Sequence, residues 1–166
     1  MGKNLDTDSY FDGEKVETSK TQQGQLGPAD CAITSLDILL KDLGIEKPIS
    51  EIAEAMNYDP FQGSNIFNIP EALNKMGIEN IEANKSAMTI DQLESALSDG
   101  RSAIVSVNNG NGGHAIIVDG INNGQVTIRD PLPIGKGSSY TISTSEFETA
   151  WGRFNGQGKV VILTNK

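Results

Sequence analysis

The sequence predicts an α+β fold in which a mainly helical first half is followed by a mainly antiparallel sheet. Apolar residues recur at helical spacing before Gly100, whereas short β-branched segments bounded by Gly, Asn and Pro follow it. Helices and strands are therefore segregated along the chain instead of alternating. The length of 166 residues suits a single domain with one continuous core.

The first 24 residues differ in composition from the rest of the chain. They are polar and hold few apolar residues in any period, which is typical of a flexible leader or linker. We therefore expect residues 1–24 to form such a leader and the folded domain to occupy residues 25–166.

Four helices are predicted in the first half of the chain. The strongest begins at Cys31 and ends near Gly44, which stands where a helix C-terminus favours a left-handed residue. Its apolar face consists of Ala32, Leu36, Leu39, Leu40 and Leu43. The other three are predicted at residues 50–58, 65–76 and 89–97, the last of them starting at a capping box.

The second half carries the β-branched segments that predict strands. These lie at residues 102–107, 114–121, 125–129, 138–142 and 159–163. One short helix is predicted at residues 145–151, between the last two strands.

Charge and composition exclude several classes of function. The formal net charge of -9, without a cluster of Lys and Arg, argues against binding of nucleic acid, which requires neutralisation of phosphates. No segment approaches the roughly 20 apolar residues that a membrane span needs, so we expect a soluble chain. With one cysteine, no internal disulfide can form.

Cys31 is the candidate nucleophile, because it opens the strongest predicted helix. Unpaired backbone N–H groups at a helix N-terminus favour a thiolate and can also hold the oxyanion of a tetrahedral intermediate. Gln25, six residues upstream across a Gly-Pro turn, is placed to add a side-chain amide donor to that oxyanion hole. The alternative for Cys31 is a small hydrophobic residue of the core.

His114 is the candidate base, and Asp130 is the candidate residue that orients it. A three-residue turn at 122–124 would pair Ile121 with Gln125 and place Asp130 on the same face as His114, diagonal to it. A carboxylate there can accept the ring N–H and select the tautomer. Asp119 alternates to the opposite face and is the poorer candidate. Asp130 is also suited to shaping the turn into the proline that follows it.

Three reactions share the thioester intermediate that such a triad forms. They are cleavage of a peptide bond, which we favour, deamidation of a glutamine side chain, and acyl transfer to an amine. None of them needs a cofactor or a metal. A module that binds peptides without cutting them is a further alternative.

The residues resemble a known family. Gln25, Cys31, the segment GHAIIVDGI at 113–121 and the segment IRDP at 128–131 are similar to the double-glycine leader peptidases, which are papain-like domains of bacteriocin exporters. The resemblance covers residues 22–163. It implies a papain-like fold, catalytic roles for Cys31, His114 and Asp130, an oxyanion-hole role for Gln25, and a protein or peptide substrate.

A second resemblance concerns residues 129–151, RDPLPIGKGSSYTISTSEFETAW. This stretch looks like the papain-fold domains at the C-terminal ends of bacterial polymorphic toxins, of the contact-dependent inhibition and Rhs types. It implies a toxin domain that a secreted or surface-exposed bacterial protein delivers into the cytoplasm of a target cell. A cognate immunity protein would then be a partner.

Overall fold

An antiparallel sheet forms the centre of the structure, a computed structural model that describes residues 4–110, 112–151 and 156–166. Within those residues the sheet has seven strands. They are β1 (Glu14–Lys15), β2 (Ile81–Met88), β3 (Ala103–Asn108), β4 (Gly113–Asn122), β5 (Gln125–Asp130), β6 (Ser138–Ser143) and β7 (Gly158–Asn165). The strand order is β1-β6-β5-β4-β3-β7-β2, and all neighbours are antiparallel.

The helices lie mainly in the first half, as the sequence predicts. They are α1 (Cys31–Asp42), α2 (Ile49–Ala55), α3 (Ile69–Lys75), α4 (Ile90–Ala96) and α5 (Thr144–Trp151), and a short 3-10 helix (Ile66–Asn68) precedes α3. The predicted capping box of α4 is present. The α+β class predicted from the sequence is confirmed.

Two hydrophobic clusters pack on opposite faces of the sheet. One lies under α1, α2 and α3 and includes Ile117 of β4, while the other lies under α4 and α5 and includes Ile116 of the same strand. Consecutive residues of a strand point to opposite faces, so β4 contributes to both clusters. Both faces are covered, which explains why β4 reads as a nearly continuous apolar run.

The hairpin of β4 and β5 has a shorter turn than the three-residue turn that the sequence predicts. Its turn contains two residues, Asn123 and Gly124, which have positive φ angles of 53° and 75°. The extra residue lies instead in a β-bulge between Val118 and Gly120. Beyond the bulge, Ile117 pairs with Arg129, which is the register that the sequence predicted. His114 and Asp130 therefore lie on the same face of the hairpin, as predicted, although the predicted length of the turn was wrong.

Strand β2 was not predicted from the sequence. It pairs with β7 over its whole length at one end of the sheet order, and of its eight residues only Ile81 is buried. An edge strand of this kind carries little hydrophobic alternation, because most of its side chains do not face the core.

The segment before Gln25, which the sequence predicts to be a leader, packs against the sheet. Tyr10 and Phe11 belong to the cluster under α4 and α5, with exposed fractions of 4% and 2%. Farther along, β1 pairs with β6. Two aromatic residues in a polar segment have no periodicity, so a pattern search does not detect that they are core residues.

Among the described residues, no helix combines the length and the apolar character that crossing a bilayer requires.

Candidate active site

Cys31 is the first residue of α1 and is partly exposed. The N-cap residue Asp30 makes no side-chain capping hydrogen bond, and the first turn of α1 holds no acidic residue. The first turn places the positive end of the helix dipole at Cys31, and the backbone N–H of Ala32 forms a hydrogen bond with the sulfur.

The electrostatic environment of Cys31 favours the thiolate. Burial raises the pKa of the thiol, but the hydrogen bond and the charge of His114, with backbone hydrogen bonds at Ala115 and Ala32, lower this pKa overall from its ordinary value of 9.0. A thiol in such surroundings has the electronic character of a nucleophile rather than of a packed core residue.

His114 lies between Cys31 and Asp130 at the start of β4. Its Nε2 is 2.8 Å from Asp130 Oδ1, so Nδ1 is the ring nitrogen left to face the thiol. Burial lowers the pKa of His114, but hydrogen bonds with Asp130 and Cys31 raise it overall to about 9. The arrangement favours an imidazolium beside a thiolate.

Asp130 is fully buried and accepts hydrogen bonds on both carboxylate oxygens. Oδ1 accepts from His114 and from the backbone N–H of Leu132, and Oδ2 accepts from the backbone N–H of Tyr10 and from the Tyr140 hydroxyl, all at 2.7–2.9 Å. Four donors occupy the acceptor sites of a carboxylate. Asp130 thus contacts both His114 and the turn at Leu132, and its role in orienting His114 stays a prediction.

Gln25 is a buried polar residue in the segment that precedes α1. Its side chain is 1% exposed, and Nε2 donates to the backbone oxygen of Gly27 at 2.7 Å. No described residue forms a hydrogen bond with its Oε1. The role of Gln25 as an oxyanion donor stays a prediction.

A cavity of about 830 Å³ opens beside Cys31 and His114. Three chain segments line most of it, namely the turn before α1, the loop at 57–65 and the start of β4. Lys159 of β7 lies at the cavity, where its Nζ donates to Asn65 Oδ1 at 2.9 Å. In the described ranges, no group of three or more His, Cys, Asp or Glu side chains is placed to hold a metal ion.

Comparison with known proteins identifies the family of the chain. The model of the family described as Peptidase_C39 like matches residues 16–159. The chain belongs to the Peptidase_C39-like family. This confirms the resemblance to double-glycine leader peptidases and the papain-like class; the resemblance to toxin domains is not confirmed. No curated protein sequence matches the chain.

Several solved structures share the fold of this family member. The peptidase domain of Streptococcus ComA, a bifunctional ABC transporter involved in quorum sensing, aligns with a TM-score of 0.70 at 20% identity, covering 87% of this chain and 98% of that one. A putative C39-like peptidase from Bacillus anthracis aligns with a TM-score of 0.68 at 17% identity, covering 93% and 99%.

A third solved structure contains a ligand. It is a double-glycine motif protease from an AMS/PCAT transporter in complex with the leader peptide, with a TM-score of 0.68 at 18% identity, covering 92% of this chain and 95% of that one. At these identities, the three alignments establish a common fold.

Sequence reasoning missed several residues that surround the triad in this member of the Peptidase_C39-like family. Tyr10 and Tyr140 contact Asp130, and the Tyr58 hydroxyl donates to Asp30 Oδ1 at 2.5 Å. That hydrogen bond is the main reason why the pKa of Tyr58 rises to about 12. The adjacent aromatic pair in an otherwise polar N-terminal segment was the one available signal for Tyr10.

Proposed function

We propose that this chain is a cysteine peptidase that cleaves peptide bonds through Cys31, His114 and Asp130. The observation that carries the proposal is the continuous arrangement of thiol, imidazole and buried carboxylate at the edge of a cavity. Membership of the Peptidase_C39-like family supports it.

In the proposed reaction, the Cys31 thiolate, whose proton His114 holds as an imidazolium, attacks the carbonyl carbon of the scissile bond. The Cys31 backbone N–H and the Gln25 amide hold the resulting oxyanion. The imidazolium then donates its proton to the leaving amine, and a thioester remains on Cys31. His114 next removes a proton from water as the oxygen attacks the thioester, and release of the acid product restores the Cys31 thiolate beside the imidazolium.

The form of the cavity favours a peptide over an isolated side-chain amide. Its volume of about 830 Å³ falls within the range of ligand sites, and its lining extends from the turn before α1 through the loop at 57–65 to β7. Phe61 on that loop is 93% exposed and offers an apolar surface beside Cys31. A related peptidase binds a leader peptide, which further supports a peptide substrate for this chain.

The first test is the rate at which iodoacetamide alkylates Cys31 between pH 4 and 9. Because Cys31 is the only cysteine, labelling reports this site alone. We expect fast labelling below pH 7 in the wild type and slow labelling in His114→Ala, since the mutant lacks the imidazolium that stabilises the thiolate. Slow labelling with an ordinary thiol titration in both proteins would contradict the proposal and favour a peptide-binding module.

A peptide library followed by mass spectrometry then separates the reactions that share a thioester. Backbone cleavage that Cys31→Ala abolishes supports a peptidase. Hydrolysis of glutamine side chains without backbone cleavage supports a deamidase, and attachment of an amine supports an acyltransferase. The toxin role and the immunity partner stay predictions from the sequence, because neither the geometry nor the comparisons bear on them.

A further inference from the structure

Tyr10 lies on the face of His114, although the two residues are far apart in the sequence. Their rings are stacked with centroids 4.7 Å apart and an interplanar angle of 23°. Tyr10 is 4% exposed, so its ring also shields this side of the imidazole from water. A residue from the N-terminal segment therefore covers one face of the candidate base.

The backbone of Tyr10 contacts Asp130, the carboxylate that lies beside His114. Its N–H donates to Asp130 Oδ2 at 2.7 Å, while His114 Nε2 lies 2.8 Å from the other oxygen, Oδ1. The same residue thus contacts the imidazole through its ring and the orienting carboxylate through its main chain. The Tyr140 hydroxyl shares Oδ2 with it.

The hydroxyl of Tyr10 contacts the loop that leads into His114. It donates to the backbone oxygen of Gly112 at 2.6 Å and accepts from the backbone N–H of Asn109 at 2.8 Å. The Asn109 side chain also donates to the backbone oxygen of Tyr10 at 3.3 Å. These bonds attach both described ends of the β3–β4 loop to one side chain.

We propose that Tyr10 is a positioning residue for His114, and that the N-terminal segment is part of the active site. The ring holds the imidazole in the plane that points toward Cys31, the N–H fixes the Asp130 carboxylate, and the hydroxyl fixes the loop before His114. An aromatic face also stabilises an adjacent imidazolium by cation–π attraction. The inference rests on the proposed function, because it assigns Tyr10 a role in forming the thiolate–imidazolium pair.

The charged and titratable groups around His114 come from three elements. Cys31 faces it from α1 and Asp130 from β5, and Tyr10 covers its ring from the N-terminal segment. If Tyr10 were only a core residue, its loss would lower the free energy of unfolding and leave the titration of Cys31 unchanged. The pH dependence of thiol reactivity therefore separates a positioning role from a packing role.

The experiment measures the iodoacetamide rate between pH 4 and 9 for Tyr10→Leu and Tyr10→Phe, with urea unfolding of each protein. Tyr10→Leu removes the aromatic face, and we expect the thiolate midpoint to rise by about one pH unit, which lowers the rate about tenfold at pH values below the wild-type midpoint. Tyr10→Phe retains the ring and loses the two hydroxyl contacts, and we expect a fall of about threefold.

Phe147→Leu is the matched control. Phe147 is fully buried in the same hydrophobic cluster and packs against Trp151. This variant should lose stability and retain the wild-type midpoint. Should Tyr10→Leu fail to fold, the threefold fall in Tyr10→Phe supports the proposal, and an unchanged rate overturns it.

Two results would overturn the role of Tyr10 while leaving the proposed function intact. One is a folded Tyr10→Leu protein with the wild-type midpoint, and the other is an equal change of midpoint in Phe147→Leu. An ordinary, slow thiol titration in the wild type would overturn the proposed function, and the role of Tyr10 with it.

Discussion

Cys31 and His114 titrate as a coupled pair, and each is the only residue of its type in the chain. Because the pKa of His114 rises from 6.5 to about 9, the folded protein retains a proton that the unfolded chain loses. The stability that this proton contributes is fully present below pH 6.5 and is lost as the pH rises through about 9. The imidazolium is therefore the main form of His114 at neutral pH.

The titration of His114 provides a direct test of the carboxylate. We expect the imidazole ¹⁵N NMR signals to titrate with a midpoint near pH 9 in the wild type. Asp130→Asn should move that midpoint down by about 1–3 pH units, because it removes the opposite charge. Asp37→Asn is the control, since Asp37 is a buried carboxylate bound by Gln23. Equal midpoints in wild type and Asp130→Asn would contradict the assigned role of Asp130.

At the scale of elements, the carboxylate of Asp119, at the bulge in β4, belongs to an ion-pair network that is separate from the contact between Asp130 and His114. Asp119 lies at the bulge, where both of its oxygens accept from the fully buried Arg129 guanidinium at 2.8 Å. Arg129 also pairs with Asp42 at the end of α1 and donates to the backbone oxygen of Thr21. This network joins β4, β5 and α1, the elements that carry His114, Asp130 and Cys31.

Arg129→Met should be strongly destabilising, because it removes the fully buried cation that pairs with Asp119 and Asp42, whose side chains are 11% and 19% exposed. The expected loss in the free energy of unfolding is about 3–5 kcal/mol by urea denaturation. Lys20→Met removes another cation that lies 3.6 Å from Asp119 but has a side chain 40% exposed, and it should cost less than about 1 kcal/mol. Similar losses in both variants would show that the buried network is not what joins these elements.

At the scale of the whole molecule, the sheet needs cover on both faces, and the N-terminal segment supplies part of it. Tyr10 and Phe11 fill the cluster under α4 and α5, next to Tyr140. Leu5 packs against the same cluster, and its backbone oxygen accepts from the N–H of Ile134. We therefore propose that the folded unit extends well before Gln25.

A chain that begins at Gln25 tests this extension. Removing the segment exposes the sites of Tyr10 and Phe11, and burial of two such side chains is worth about 3–6 kcal/mol. We expect a urea midpoint far below that of the full chain, since typical domains are stable by only about 5–15 kcal/mol. The full-length double variant Tyr10→Ser with Phe11→Ser should reproduce most of the loss. Coincident unfolding curves for the truncated and full chains would restore the boundary predicted from the sequence.

Local patterns in the sequence were sufficient for many features of this chain. The periodicity after Cys31 predicted α1, the capping box predicted α4, and β-branched segments predicted β3 to β7. The residue types and spacings of Gln25, Cys31, His114 and Asp130 pointed to the family that the comparisons identify. These signals are readable because each depends on residues that are close in the sequence or on strand alternation.

Other features were decided only by contacts between distant residues. Asp119 at the bulge pairs with Arg129, edge strand β2 pairs with β7, and Tyr10 stacks on His114, more than 100 residues away. Such contacts leave no periodicity in the segments that make them, since one or two buried side chains are enough. The sequence by itself determined the fold class, the family and the candidate triad. Which residues surround that triad was decided only by the tertiary structure. The reason is that packing around the buried carboxylate of Asp130 brings together segments that share no local sequence pattern.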